Sequence, residues 1–474
     1  MVAIRFFNTL TRAVDTFEPI QRDQVRIYCC GPTVYNYQHI GNLRTYIFED
    51  TLVRALRYAG HQVQHVMNIT DVGHLVSDAD DGEDKMLVAM RREGKTSEQI
   101  ADFYTKIFFD DCGKLNIRRP DVVCKATEHI AEMIDMISQL EKRGFAYQAG
   151  GNVYFDVAKF SAYGELAKLD LSTLRSGARI EVDSQKRSPL DFALWFTKSK
   201  FEGQELQWDS PWGRGYPGWH IECSAMARRY LGDEFDIHCG GIDHIPVHHT
   251  NEIAQSQGAT GRAPAKWWMH GAFLLEKNDG EDAKKMSKSA GAFLVLDRII
   301  ERGIEPLSYR LMCYSANYRS ELAFSWSALE AADATFRKVR STVETLRESG
   351  EPAEITTPRG RELLAQFESS VFDDLAMPRA IAVMHAVLGA SDVEPTERLA
   401  LLEKFDEILG LGVKQWRRVL TEIPAEVTAL ADERLAARRA KNWGESDRLR
   451  DEIAKRGFAV LDAKDAYTLK KASS

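Results

Sequence analysis

Disulfides are the first thing this sequence has no room for: seven cysteines are scattered over 474 residues, and none falls in a Cys-x-x-Cys pair. No apolar run is long enough to cross a bilayer, and the opening residues show no secretory leader pattern. These absences point to the reducing cytoplasm and away from any membrane. Internal repeats and low-complexity tracts are also missing, which excludes a solenoid or a disordered array. The charge is close to balanced, with 62 Lys and Arg against 70 Asp and Glu for a net charge of −8. That argues against coating nucleic acid by charge alone, although a local basic face stays open. What is present is 44% apolar residues, enough over this length for two or three domains with sizeable cores.

The stretch from Cys29 to Asn42 organises the chain. Before it, Val25, Ile27 and Cys29 alternate with polar neighbours over Gln24 to Cys30, the pattern of a strand. After it, Leu43, Tyr46, Ile47, Leu52, Val53 and Leu56 recur at helical spacing until Gly60. A helix that begins in a turn presents unpaired backbone N–H groups and a partial positive charge, so a phosphate can bind there with His39 as an added donor. Residues 62–70 read as a second strand, consistent with a parallel nucleotide-binding sheet. The acid-rich stretch from Asp78 to Asp84 reads as a surface loop with no assigned role. Helical spacing follows from Ser97 to about Gly144, then short mixed segments from Tyr147 to Trp208, and the second half of the sheet opens near Trp212. Much later, Lys284-Lys285-Met286-Ser287-Lys288-Ser289 sets ammonium groups after a polar, acidic stretch, the composition of an exposed loop.

His39-Ile40-Gly41-Asn42 after a first strand, with Lys285-Met286-Ser287-Lys288-Ser289 far downstream, resembles the paired signature of class I aminoacyl-tRNA synthetases. Four potential metal ligands stand apart from it: Cys30, Cys223, and the pair His248 and Glu252, whose spacing puts both on one face of a helix. Two thiolates, an imidazole and a carboxylate suit tetrahedral zinc, while the plain alternative is buried packing. Cys29, Cys112, Cys124, Cys239 and Cys313 read as packing only.

Several further blocks bear a close resemblance to the cysteinyl-tRNA synthetase family. They are Cys30-Gly31-Pro32-Thr33-Val34-Tyr35, Asn68-Ile69-Thr70-Asp71, Ala126 to Ile130, Ser188 to Trp195, Trp208 to Gly213, Pro217 to Met226 and His248-His249-Thr250-Asn251-Glu252. The match runs in order to Tyr318-Arg319-Ser320 and resumes near the C-terminus. The resemblance implies an α/β fold: a Rossmann-like parallel-sheet catalytic domain over 1–294 with an insertion at about 97–211, a helical bundle over 295–422, and a small anticodon-binding domain over 423–474. It implies one zinc ion per chain on Cys30, Cys223, His248 and Glu252, at the floor of an L-cysteine pocket that Thr70 and Trp219 complete. It also implies ATP as substrate, accompanied by Mg2+, with His39, Asn42, Lys285 and Lys288 in catalytic positions and Gly31, Pro32, Gly41, Gly241 and Asp243 beside the nucleotide. Cysteine tRNA would be the acceptor, and the chain a cytoplasmic monomer.

Past Leu294 the spacing turns helical over Leu307 to Cys313, Trp326 to Leu346, Arg359 to Leu388 and Glu394 to Leu411. In the last block, Arg434 to Arg456 carries eight basic against four acidic residues. A solvated helix face is one reading. The resemblance offers another, in which Arg438 and Arg439 track phosphates while Trp443 or Tyr467 stacks a base. Two departures stand out: Asn42 replaces the second histidine usual in the first motif, and the C-terminal Gly-Thr-x-Trp segment common in the family is replaced by Ala466 to Lys470. The rivals to a tRNA synthetase are a relative joining cysteine to an amino sugar, which usually lacks the C-terminal domain, and, further off, a zinc hydrolase or a plain nucleotide-binding module.

Overall fold

The computed structural model describes residues 3–72, 85–169, 185–198, 206–276, 284–285, 294–418, 423–462 and 466–471. They fall into two compact units, 1–416 and 417–474.

The first unit begins with a hairpin, β1 (Arg5–Asn8) and β2 (Ala13–Thr16), and enters the central sheet at β3 (Gln24–Cys29). The chain then makes α1 (Ile40–Tyr58), β4 (Gln62–Ile69), α2 (Lys85–Glu93), α3 (Ser97–Lys114), β5 (Val122–Lys125) and α4 (Ile130–Lys142). A four-stranded antiparallel sheet follows, from β6 (Ala146–Ala149), β7 (Asn152–Phe155), β8 (Phe192–Phe196) and β9 (Tyr216–Pro217). The chain returns through α5 (Trp219–Leu231), β10 (Phe235–Gly241), α6 (His248–Thr260) and β11 (Ala265–Gly271). The central sheet is parallel throughout, in the order β11-β10-β3-β4-β5.

That order reverses beside β3: the chain leaves β3 for β4 on one side and comes back as β10 on the other. In an open parallel sheet the crevice at the carboxyl ends of such strands is where ligands bind, because the connecting loops diverge there. Side chains alternate across the sheet. Val25, Ile27 and Cys29 face the layer holding α1 and the helical bundle, while Tyr28 and Cys30 face the layer holding α4, α5 and α6.

Helix α1 is buried on nearly all sides. Leu43, Ile47, Leu52 and Leu56 fill the apolar layer, each worth about 2 kcal/mol of burial. Its polar side is also buried, which the helical spacing did not reveal. Asp50 is 2% exposed and meets both Arg54 Nε at 2.7 Å and Arg310 Nη2 at 2.5 Å. Arg310 also donates to the carbonyls of Leu115, Asn116 and Leu409, so each of its three nitrogens has a partner.

Four expectations need correction. The strand β5 at 122–125 belongs to the central sheet, so the inserted sheet occupies 146–217 and does not begin at 97; the helical stretch 97–114 is core to the parallel layer. The helix expected from Arg359 to Leu388 is two, 358–371 and 377–389, broken where Asp374 and Leu375 take left-handed φ values of 57° and 49° ahead of Pro378. The basic run of the last block is not a uniform face, because Arg434 is buried and forks onto the Asp462 carboxylate at 2.5 and 3.0 Å. No packing break falls at 294 either, since residues from the sheet and from the bundle share one core.

The remaining elements of the first unit are β12 (Leu274–Glu276), β13 (Lys284–Lys285), α7 (Leu296–Glu301), α8 (Pro306–Cys313), β14 (Leu322–Phe324), α9 (Trp326–Arg347), α10 (Pro358–Val371), α11 (Met377–Gly389) and α12 (Pro395–Leu409). The second unit holds α13 (Ala425–Arg439), α14 (Trp443–Lys455) and a hairpin of β15 (Phe458–Asp462) and β16 (Tyr467–Lys471) around its own small core. Among the described residues, no helix is long and apolar enough to cross a membrane.

Candidate active site and metal centre

The site grows from the carboxyl ends of β3 and β10. Gly31 must be glycine, because a Cβ there would run into the Asn68 carbonyl; its N–H donates to the Asn68 side-chain oxygen at 2.8 Å. Pro32 and Thr70 exchange a backbone bond at 3.1 Å, so the loop after β3 is laced to the end of β4. Asn68 Nδ2 in turn donates to the Thr70 hydroxyl at 3.0 Å, and that hydroxyl donates to the Glu222 carboxylate at 3.2 Å. Asp71 takes two bonds from Thr127, which joins two of the sequence blocks noted above.

His39 caps α1. Its Nδ1 accepts the Asn42 N–H at 3.1 Å, which leaves the ring proton on Nε2. The Ile40 N–H donates to the Leu294 carbonyl at 2.9 Å, and His39 bridges to Val295. Leu294 and Val295 therefore lie beside the start of α1. Lys285 lies at the end of β13, and Lys288 lies outside the described residues.

Cys30, Cys223, His248 and Glu252 come together from β3, α5 and α6, over a sequence span of more than 200 residues. Their ligand atoms all lie within 4.8 Å of one another, and all four residues are buried. The Cys30 and Cys223 sulfurs are 3.9 Å apart. Tetrahedral zinc at about 2.3 Å from each would set them about 3.8 Å apart, so the donors fit that ion in both kind and spacing. A second group, Cys30, His238, His249 and Glu252, shares two of these residues. There His238 Nε2 meets Glu252 Oε2 at 2.9 Å, and His249 turns Nδ1 to His270 at 2.8 Å with its Nε2 3.4 Å from the Cys30 sulfur, so the two groups overlap around Cys30 and Glu252. His248 turns Nε2 to Glu252 at 3.0 Å and Nδ1 to His220 at 2.9 Å.

The buried groups set one another's charge. Burial opposes charge on Glu252, but His238 and His248 outweigh it and hold the carboxylate well below its usual range. Burial likewise opposes charge on His248, yet Glu252 and Cys223 push it up to about 10. The Cys30 hydrogen bond lowers the Cys223 thiol, while burial raises Cys30 well above the ordinary thiol value.

Trp219 lies over His248 with ring centroids 4.6 Å apart. At the end of β10, Gly240 leaves room for the His244 and His249 rings, and Gly241 leads into the exposed Asp243. Reading the sequence alone missed His220, His238, His249, His270, Asn68 and Glu222. The available signal was crowding: six of the twelve histidines lie between positions 220 and 270. In the second unit, Arg438 pairs with Asp462 at 2.5 Å, Tyr467 donates to Asp432 at 2.6 Å, and Trp443 is 61% exposed at the start of α14.

Comparison with known proteins agrees with this geometry. Residues 16–334 match the family described as tRNA synthetases class I (C) catalytic domain, and residues 420–468 match the cysteinyl-tRNA ligase anticodon binding domain. The chain is 45% identical to a cysteine–tRNA ligase of Treponema denticola, over 99% of this chain and all of that one. It is also 45% identical to cysteine–tRNA ligase 1 of Burkholderia lata, over 98% and 96%. In fold it is similar to methionyl-tRNA synthetase of Mycobacterium tuberculosis solved with methionyl-adenylate, with a TM-score of 0.57 at 15% identity over 82% of this chain and 90% of that one. The chain belongs to the cysteine–tRNA ligases, class I aminoacyl-tRNA synthetases that charge tRNA with cysteine.

Proposed function

We propose that the chain activates L-cysteine with ATP to cysteinyl-adenylate and passes the aminoacyl group to the 3′ end of cysteine tRNA, with one zinc on Cys30, Cys223, His248 and Glu252 selecting the thiol. The observation that carries this reading is the convergence of those four donors at the strand ends where α1 also begins.

When bound, zinc supplies a soft Lewis acid that takes a thiolate far better than serine's hydroxyl, and shape alone separates such near-isosteres by only about 10²-fold. Cys30, Cys223, His248 and Glu252 would hold the ion, and His238 orients Glu252 by bonding its other oxygen. Thr70 and Trp219 border the amino-acid pocket. The cysteine carboxylate attacks the α-phosphate of ATP and pyrophosphate leaves. His39, protonated on Nε2, donates to phosphate oxygens beside the N–H groups that open α1. Lys285 and Lys288 neutralise charge developing on pyrophosphate, with Mg2+ accompanying ATP. Asn42 stands where a second imidazole is usual, and it donates a hydrogen bond without carrying charge. Gly31, Pro32, Gly41, Gly241 and Asp243 border the nucleotide. The 3′-terminal ribose hydroxyl of tRNA then attacks the adenylate carbonyl and AMP leaves, while Arg438, Arg439, Trp443 and Tyr467 form the anticodon contact.

The test is cysteine-dependent exchange of pyrophosphate into ATP, followed by charging of a cysteine tRNA transcript and of an amino-sugar acceptor in parallel. Exchange with tRNA charging supports the reading. Exchange with charging of the amino sugar alone moves the chain to the small-thiol ligases.

A further inference from the structure

Arg44, on α1 about 7 Å of helix rise beyond His39, is a cation only 4% exposed. Its terminal nitrogens donate to main-chain carbonyls. Nη1 meets Ala272 at 2.8 Å and Phe273 at 2.6 Å, and Nη2 meets Asn317 at 3.3 Å and Ser320 at 2.6 Å. One prong grips the chain as it enters β12, and the other grips the turn that leads into β14. A buried charge is ordinarily paired with its opposite, whereas these four partners are neutral. What the planar fork supplies here is geometry, with two segments held at fixed spacing from one helix.

Those segments are tied to each other as well. The Ala272 N–H donates to the Tyr318 carbonyl at 2.8 Å and the Leu322 N–H to the Phe273 carbonyl at 3.1 Å, and β12 and β14 run on as parallel partners. The Tyr318 ring stacks on Phe48 of α1, with centroids 4.2 Å apart and planes within 3°. On its other edge β12 pairs with β13, Leu275 opposite Lys285 and Glu276 opposite Lys284. A continuous line of contacts thus runs from Arg44 through Phe273 and β12 to the backbone of Lys285. Further along the chain, the Leu294 carbonyl accepts the Ile40 N–H at 2.9 Å. Helix α1, which opens on His39, therefore holds the chain both ahead of Lys285 and at Leu294.

We propose that Arg44 is a positioning residue for adenylate formation, its fork fixing the strand of Lys285 relative to His39 so that both groups serve the same phosphates. The proposal rests on the roles given above to His39 and Lys285. Transfer at phosphorus depends on placement and charge neutralisation, and a misplacement of about 1 Å made far from the chemistry can cost about 10²-fold. Lysine at position 44 keeps the charge, but its single nitrogen cannot span both segments.

The test measures cysteine-dependent pyrophosphate exchange by the full chain carrying Arg44→Lys, Lys285→Ala or both, with active sites counted from the burst of adenylate. In Arg44→Lys the expected result is a kcat per active site lowered about 10²-fold, with the KM for cysteine and the zinc content unchanged. The double variant should be within about threefold of Lys285→Ala alone, because the two losses share one cause. A purely structural Arg44 reduces the number of active sites and leaves the kcat of each intact. That outcome overturns the proposal, and so do losses that multiply in the double variant. Should Arg44→Lys fail to fold, Tyr318→Leu loosens the same turn from α1 without touching the cation. A lower kcat per site at constant cysteine KM then supports the proposal, and an unchanged kcat overturns it. Full kcat in Lys285→Ala is a separable failure: it removes Lys285 from the reaction, and the proposal falls with that reading.

Discussion

Cys29 and Cys30 are neighbours in sequence and part company in the structure. Strand alternation turns Cys29 into the α1 layer opposite Cys239, while Cys30 meets Cys223 across the other layer. The alternation was legible from spacing and Cys29 read as packing, whereas the reading of Cys30 as a metal ligand rested on the family resemblance, because ligands this widely separated carry little local signal. Cys223→Ala removes one of two thiolates and strands His248 and Glu252 without their ion. The expected outcome is loss of bound zinc and a rise of at least about 100-fold in the KM for cysteine in the exchange reaction, with ATP binding kept. Zinc content by atomic absorption and the KM pair check it. His39→Asn removes a donor from the developing phosphate charge, and pyrophosphate exchange should fall about 10² to 10³-fold while zinc content stays constant.

Elements follow the same division between what spacing announces and what only packing decides. The apolar stripe of α1 was plain, yet the burial of Asp50 on its other side depends on Arg310, 260 residues away, and no helical period encodes that. Burial opposes the Asp50 charge, but Arg310 and Arg54 outweigh it and lower the carboxyl below its ordinary value. A carboxylate lowered on folding stabilises at pH above its unfolded value and loses that contribution as pH falls through the folded one. Asp50→Asn leaves Arg310 buried and uncompensated, so a loss of about 3 to 5 kcal/mol at pH 7 is expected in denaturant unfolding, shrinking toward acid pH. His65 acts with the same sign in a higher pH window: burial lowers it to about 4, so the unfolded chain binds a proton first and stability falls as pH drops from about 6.5 toward 4. His65→Gln should flatten that limb of the Tm profile. The split of the 358–389 stretch went unread because the apolar spacing runs on through the left-handed turn before Pro378. In the last block, Arg448, Arg450 and Arg456 pair with acids three or four residues away along the helix, whereas the Arg434–Asp462 pair joins the helix to the hairpin and was not visible in the sequence.

At the scale of the whole molecule, the parallel sheet, the following bundle and the small last block were all legible, since each has its own periodicity. The start of the inserted sheet was not, because the helices before it look alike whether they pack on the central sheet or beside it. The second unit has a separate core, so truncation after Trp416 should leave cysteine-dependent pyrophosphate exchange within about threefold of the full chain and lower tRNA charging by at least about tenfold. Exchange and charging measured on one preparation check that. The most direct measurement of the central claim is zinc K-edge X-ray absorption of the purified chain with and without cysteine. The account predicts one zinc per chain with two sulfur ligands, and a third sulfur when cysteine binds. A metal-free chain, or a zinc whose sulfur count does not change with cysteine, would contradict it.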